Sequence, residues 1–438
     1  MNKWLKTWTT RESTDSRNVR QTDLIKYILQ WLVLAGAVGF LTGSASALFL
    51  VSLEWATSMR NEQPWLLYLL PFGGAFVSWM YQAYGRNSTK GNNLILEQIH
   101  DGNETIPLRM APFVLVGTVL THLFGGSAGR EGTAVQMGGS LSETLGKLLH
   151  IRPENRKIIL MCGISAGFGS VFGTPLAGAV FGLEVLAIGL ISYEALLPCL
   201  IASLVGHVVT LGWGVTHAHY SMGQIPPLGA IVLLKVTAAA VVFGLISRLF
   251  SELTHKLKSL FTRLFSHTAV KAFIGGCVII LLTKAIGTRD YLGLGLPLLD
   301  DSFQDGTASL AFLWKLIFTS ITLGAGFQGG EVTPLFVIGA TLGNTLGTLL
   351  QLHGPFLAGI GLIAVFSGAT NTPIACFLLG IELFGSEAAV YMFVAVVISY
   401  LCSGHVGIYT AQRLKVAKGQ SGQKLDEKTA LGTLKSKR

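Results

Sequence analysis

Residues 129–146 read GREGTAVQMGGSLSETLG, and residues 329–347 read GGEVTPLFVIGATLGNTLG. Both contain Gly-x-Glu-x-Thr, a glycine eight residues after the glutamate, and a closing Thr-Leu-Gly displaced by one position. Farther along, Thr174-Pro175 with Gly182 and Glu184 recurs as Thr372-Pro373 with Gly380 and Glu382, each at an offset of 198 residues, beside 200 for Glu131 and Glu331. Two different motifs recurring in one order at one spacing indicate an internal duplication. The glycines and prolines at corresponding places predict helices broken in corresponding places. Duplicated membrane folds of that kind set their substrate site near the midplane, where the repeats meet.

Working outward, the surroundings of these motifs are a membrane protein. Charged residues make up 13% of the chain, about half of what soluble domains carry. Residues 1–26 hold nine of the 55 and residues 413–438 hold ten, leaving 36 for the 386 residues between. Tyr27–Ala56, Ile158–Ile191 and Phe356–Phe384 are each long enough for the ~20 residues of a bilayer span. A soluble enzyme is excluded. Ile158–Ile191 is too long for one perpendicular crossing, and Gly167-Phe168-Gly169 and Gly173-Thr174-Pro175 predict interruptions, hence two shorter helices. Glycine, 53 residues, exceeds the usual ~7%; in membranes it permits close helix approach and, in clusters, breaks helices.

The basic excess, a net charge of +9, sits at the ends, so both termini are expected in the cytoplasm, with an even number of crossings. Short basic tails beside spans are topology signals, and no nucleic-acid partner is expected. Arg152, Arg156 and Lys157, and the stretch Arg248–Lys271 with Lys256, Lys258 and Arg263, are expected on the same side. The domain reading is 1–26 as an N-terminal cytoplasmic segment, 27–412 as the membrane domain with halves of about 27–250 and 270–412, and 413–438 as a basic tail too short for a soluble regulatory domain. No apolar signal core opens the chain. The five cysteines lie in apolar stretches without metal spacing and read as small core residues; no metal or cofactor is expected.

Glu131 and Glu331 each sit at a glycine-flanked helix start within apolar sequence, and a carboxylate at membrane depth is expensive unless functional or paired. Free N–H groups and the positive dipole end stabilise an anion there. One reading has each Glu capping its own helix, with Arg130 or a Thr as partner. The duplication favours another, in which the same N–H groups hold a small inorganic anion and the Glu competes for them until protonated. Burial and the helix terminus push the carboxyl pKa in opposite directions.

Gly129-Arg130-Glu131-Gly132, Gly330-x-x-x-Pro334, the twin Pro175/Glu184 and Pro373/Glu382 segments, and Gly407-Ile408-Tyr409 together resemble the CLC family of anion channels and proton-coupled anion antiporters, over roughly residues 30–415. The resemblance implies an all-α inverted-repeat fold of short, tilted and broken transmembrane helices, and a homodimer with one anion pathway per subunit. It makes Glu131 the gating and proton-carrying acid, lines the anion sites with the backbone amides of Arg130, Gly132, Val332 and Thr333, and points the Tyr409 hydroxyl at the central anion.

The departures narrow the branch. Gly91-Asn92-Asn93-Leu94-Ile95 stands where most members have a GSGIP segment, so Asn92 replaces the serine. Thr133 replaces a proline, Glu331 and Val332 stand where chloride carriers have apolar residues, and the internal proton glutamate of chloride/proton exchangers falls at Val185. This pattern is similar to the bacterial fluoride/proton antiporter branch. Fluoride is small and strongly hydrated, so a site must replace its water with dense hydrogen-bond donors, each costly if left unreplaced; the Asn92 amide, the Thr333 and Tyr409 hydroxyls and main-chain N–H groups could supply them. The alternative reading has Asn92 capping its own helix, Asn being a favoured N-cap. Glu331 is a second acid that offers protons, or HF, a route without an acidic residue at 185.

The leading expectation is therefore a homodimeric fluoride/proton antiporter in the bacterial inner membrane. A chloride/proton antiporter or chloride channel of the same fold is the alternative, and an intramembrane hydrolase built on Ser165 or the Glu131/Glu331 pair a remote one. Gly163-Ile164-Ser165-Ala166-Gly167 matches a nucleophile elbow, but in a helical context. Asp300-Asp301 reads as loop. Glu184 and Glu382 read as helix-packing or interface acids, Thr322 and Thr341 as bonded to helix carbonyls, and His207, His217 and His219 as solvated loop-side residues.

Overall fold

A computed structural model describes residues 21–304, 306–419 and 429–434. Most of the expected N-terminal cytoplasmic segment and much of the basic tail lie outside the described residues. The regular structure of the described chain is helical but for a two-residue parallel pairing of β1 (Ala187–Ile188) with β2 (Arg413–Leu414), which ties the segment after residue 402 to the segment after residue 184.

Helix α1 (Gln21–Glu62) is 42 residues, about 63 Å at 1.5 Å per residue, twice a bilayer core and so a tilted span. Helices α2 (Leu70–Met80) and α3 (Asn92–Asp101) lead to a five-helix set: α4 (Met110–Leu123), α5 (Glu131–Leu148), α6 (Pro153–Phe172), α7 (Pro175–Glu184) and α8 (Leu196–Gly212). Helices α9 (Ala230–Leu264), α10 (Thr268–Ile286) and α11 (Leu296–Ser302) connect it to its counterpart: α12 (Ala311–Gly324), α13 (Val332–Leu350), α14 (Gly354–Thr370), α15 (Pro373–Phe384) and α16 (Ala389–Cys402). The repeat thus runs through five successive helices, well past the motifs that reveal it. Asp300 and Asp301 fall in α11 and not in a loop.

The local signals explain the breaks. Helix α6 begins on Pro153 and ends at Gly173, whose φ of 75° closes the helix in left-handed conformation; Pro175 then starts α7. Helix α14 ends at Asn371 with φ 59°, and Pro373 starts α15. Ile158–Ile191 is two helices, as expected, and Phe356–Phe384 is divided the same way. Gly167-Phe168-Gly169 does not break α6: a Cβ on Gly167 would stand 2.6 Å from the Ala134 carbonyl oxygen, so glycine there admits the backbone of α5. The sister crossing of α13 with α14 is equally tight, a Cβ on Gly339 meeting the Gly361 oxygen at 2.3 Å.

Helices α7 and α15 lie antiparallel, and each carries in its last turn an acid that caps the start of the other. The Glu184 carboxylate accepts from the N–H of Ile374 (3.1 Å) and Ala375 (2.8 Å); the Glu382 carboxylate accepts from Leu176 and Ala177, both at 2.8 Å. The helix-packing reading of these acids holds, and so do the Thr322 and Thr341 bonds to carbonyls one turn back. Among the described residues five helical stretches are long and apolar enough to cross a membrane, among them α1, α9, α10 and α13. The peripheral α9 and α10 show large apolar side chains outward, Leu234 71% and Leu281 66% exposed, whereas α6 and α14 are buried almost throughout. That inversion of the soluble pattern suits a lipid surround.

Candidate functional site

The two Gly-x-Glu-x-Thr stretches meet. Gly129 and Gly330 form an antiparallel bridge, each N–H donating to the other's carbonyl at 2.6 and 2.8 Å. Behind the bridge the starts of α5 and α13 confront one another. Glu131, the first residue of α5 and 1% exposed, does not cap its own half alone. Its carboxylate accepts from the N–H of Val332, from the N–H of Thr333 (3.1 Å) and the Thr333 hydroxyl (2.8 Å), and from the N–H of Arg130 (3.0 Å). The donors at the start of one half thus hold the acid of the other. A Cβ on Gly330 would stand 2.3 Å from Glu131 Oε1, and one on Gly129 2.7 Å, so both positions must be glycine for the carboxylate to lie where it does.

Arg130 contributes its backbone and not its guanidinium, which lies over the Phe172 ring with Nε buried and unpartnered. No salt bridge to Glu131 occurs among the described residues, so the carboxylate rests on helix-terminal dipoles and hydrogen bonds, the environment in which a small anion is bound. Gly132 does not donate to it; its bare Cα lets Gly330 and the Asn92 amide approach, a Cβ there standing 3.0 Å from Gly330 Cα and 3.2 Å from Asn92 Nδ2. Glu331 precedes the Val332 N–H that Glu131 occupies and makes no side-chain cap to its own helix. Thr133, where the resemblance led us to note a missing proline, pairs its hydroxyl with Thr118 of α4 at 2.7 Å.

A cavity of about 350 Å³ reaches this point from one side. Glu331, Asn92, Tyr409, Lys258 and Lys271 are among the residues that line it. Asn92 is not a cap: it is the first helical residue of α3, the cap position is Gly91, and the Asn92 Oδ1 is buried without a partner. Beside the cavity a pocket of about 10 Å³, near the least that holds one water, touches Asn92, Tyr409 and Val185. Val185, where the resemblance puts the exchangers' internal acid, is buried at 2% exposed.

Residues that sequence reasoning overlooked brace the bridge. Lys315 of α12 is fully buried and donates to Ser127 Oγ (3.0 Å), Tyr291 O (3.2 Å) and Gly293 O (2.8 Å), three acceptors for the three hydrogens of an ammonium. Ser127 in turn meets Thr319 Oγ1 at 2.9 Å and Thr322 Oγ1 at 3.2 Å, and His122 sits between the carbonyls of Thr118 and Ala128. A lysine inside the apolar run 311–324 was the available signal. Ser165 lies within α6, not on a strand-to-helix turn, and its hydroxyl donates to the Ala179 carbonyl. His207 lies in α8 and stacks on His217, which is packed over Gly173 and not simply solvated.

Opposed broken-helix termini around a buried glutamate, on a duplicated set of short helices, define a carrier or channel for small anions. Residues 73–404 match the family model described as voltage gated chloride channel, and the chain belongs to that family, the CLC family. A curated relative from Pseudomonas syringae pv. tomato, named chloride/fluoride channel protein, is 52% identical over 404 residues, 91% of this chain and 89% of its own length. The H(+)/Cl(-) exchange transporter ClcA of Cronobacter sakazakii is 26% identical over 80% of this chain and 81% of its own. Among solved structures, a CLC-type fluoride/proton antiporter superposes with a TM-score of 0.86 at 34% identity, covering 91% of this chain and all of that one. The fold is the CLC fold of a multi-pass membrane protein.

Proposed function

We propose that the chain exports fluoride in exchange for protons, with Glu131 as both gate and proton carrier. One observation carries the reading: the Glu131 carboxylate occupies the N–H and hydroxyl donors of Val332 and Thr333 in the opposite half. Those donors fit a small, hard anion equally well. Deprotonated, Glu131 blocks them; a proton removes its charge and weakens its bonds, charge-assisted hydrogen bonds being about twice as strong as neutral ones. Fluoride then takes the vacated donors, with Arg130 N–H beside them and Gly132 keeping the approach open, while Asn92 and Tyr409 receive it at the cavity end. Glu331, one residue from the shared N–H, is a second proton-holding group, which suits a chain with valine at 185. Fluoride rather than chloride is supported by the density of donors and by the names of the 52% relative and the 34% solved structure.

The reading extends to a homodimer in a bacterial inner membrane with both termini in the cytoplasm. The basic ends support the orientation, and the apolar outer faces of α8 and α16, with Val208 63% and Val390 51% exposed, suit a second copy. The reading takes 27–412 as the membrane domain, in halves of about 27–250 and 270–412. The deciding experiment is efflux from proteoliposomes loaded with fluoride or chloride, with external pH followed simultaneously. Fluoride efflux with opposing proton uptake into the vesicle, and much slower chloride, is expected. Equal halide rates favour the chloride reading of the same fold; fluoride flux without proton movement favours a channel.

A further inference from the structure

The stretch that carries Tyr409 is neither helix nor strand: between α16, which ends at Cys402, and β2, which begins at Arg413, the backbone runs through turns. Its place is set by single bonds. The N–H of Ile408 donates to the Ala369 carbonyl at 2.9 Å, that of Ala411 to Asn93 Oδ1 at 2.9 Å, and that of Gln412 to the Tyr409 carbonyl at 3.3 Å. The Gln412 side chain, fully buried, reaches both halves of the duplication. Its Nε2 donates to the carbonyls of Val185, directly after α7, and of Thr370, the last residue of α14, both at 3.0 Å; its Oε1 accepts from Asn371 Nδ2 at 2.9 Å. Asn371 is held in turn: its Oδ1 accepts from the Lys418 ammonium at 2.5 Å, and its Nδ2 passes so near Gly407 that a Cβ there would stand 2.6 Å away.

We infer that Gln412 is a positioning residue for Tyr409, a clamp that registers the hydroxyl-bearing segment against the ends of α7 and α14. Carbonyls at a helix end have no partner within the helix, and a hydroxyl or a water can serve one of them. A carboxamide offers two donors and an acceptor in one plane, and Gln412 uses all three. Bonded at three points, that plane has a single setting, which also fixes the backbone it hangs from and the Tyr409 carbonyl bonded to it. The Asn93 bond to Ala411 registers the same segment against the first turn of α3, so Tyr409 is held at the cavity beside Asn92. A group that meets the transported ion loses much of its worth when displaced by about 1 Å, even in an intact fold. The inference rests on the reading above, in which Tyr409 receives the anion, and adds the residue that holds Tyr409 in place.

The test uses Gln412→Met, which keeps the length and removes all three side-chain bonds, and Asn371→Asp. The aspartate gains an ion pair with Lys418 but turns the donor facing Gln412 Oε1 into an acceptor. Each is made alone and together with Tyr409→Phe in the full chain reconstituted in vesicles, and initial efflux is measured against fluoride concentration. Each single variant is expected to raise the half-saturating concentration about five-fold, the loss of one hydrogen bond to the anion. Neither should raise it further once Tyr409 lacks its hydroxyl, because residues that act through one another are not additive. A glutamine that merely caps two helices would lower the melting temperature and leave the half-saturating concentration unaltered; that result, or a loss that adds in full to that of Tyr409→Phe, overturns the clamp. Asn371→Asp decides alone if Gln412→Met does not assemble. An indifferent Tyr409→Phe refutes the reading of Tyr409 and the clamp with it, a result distinct from a responsive Tyr409 with indifferent Gln412 and Asn371 variants. A parent that moves chloride and no fluoride refutes the fluoride reading instead, and the same comparison on chloride then judges the clamp.

Discussion

The duplicated chain brings its halves together at two places, and they are built differently. At α7 and α15 the contact is reciprocal: Glu184 caps α15, Glu382 caps α7, and four N–H groups are satisfied by two carboxylates. Where α5 and α13 meet, the backbone bridge Gly129–Gly330 is symmetric, but the acids are not. Glu131 crosses to the donors of α13, whereas Glu331 faces the cavity. A closed, symmetric exchange leaves nothing for a ligand and is a structural joint. Asymmetry leaves one set of donors held by an acid from the other half alone, and the gate proposed above needs such donors, open to either a side chain or an ion. Two acids per pair look alike in sequence; only whether the exchange is mutual separates joint from gate.

That contrast can be broken or sharpened by experiment. The largest effect is expected from Glu131→Gln, which cannot carry a proton: coupled proton movement should vanish altogether while fluoride still passes, and persistent coupling would remove Glu131 from the cycle. Next comes Gly330→Ala, whose Cβ would overlap the carboxylate. Evicted from its donors, Glu131 should no longer shut the pathway at alkaline pH, so the steep fall of fluoride efflux with rising pH should flatten by about ten-fold or more, the worth of one charge-assisted bond or more. At the joint, Glu184→Ala should cost about 1.5–3 kcal/mol of thermal stability in detergent, as expected for hydrogen bonds to a charged group, with coupling intact in the folded fraction. A coupling defect without a stability loss there would erase the distinction between the two places. Glu382→Ala, on the less buried side, should cost less. The smallest effect is expected for Asn92→Ser, which shortens a cavity donor and should lower fluoride-over-chloride selectivity several-fold in paired efflux assays.

Much of the site was legible in the residues, and the reason is energetic. Glu131 and Glu331 announced themselves because a carboxylate among glycines in apolar sequence demands a purpose. The same rule applied to Lys315 and was not used, since a lysine in 311–324 looked like one charge among helix residues. Gln412 carried no signal at all: a glutamine is ordinary until its burial and the two helix ends it bonds single it out. The glycines misled at 167–169, whereas the single glycine at 173 did not. Glycine both breaks helices and lets them touch, and Pro175 following at once was the discriminating residue.

By itself the amino-acid order determined the membrane solvent, the duplication and the positions of the breaks, because each depends on local composition: few charges, a recurring motif, a glycine or asparagine ahead of Thr-Pro. Which donors satisfy which carboxylate was decided only in three dimensions. Val332 lies 201 residues from Glu131, and a hydrogen bond over that separation is set by how two helix ends pack, a property no window of sequence contains. The same is true of the cavity, whose lining comes from α2, α3, α5, α9, α10, α12 and the segment that follows α16.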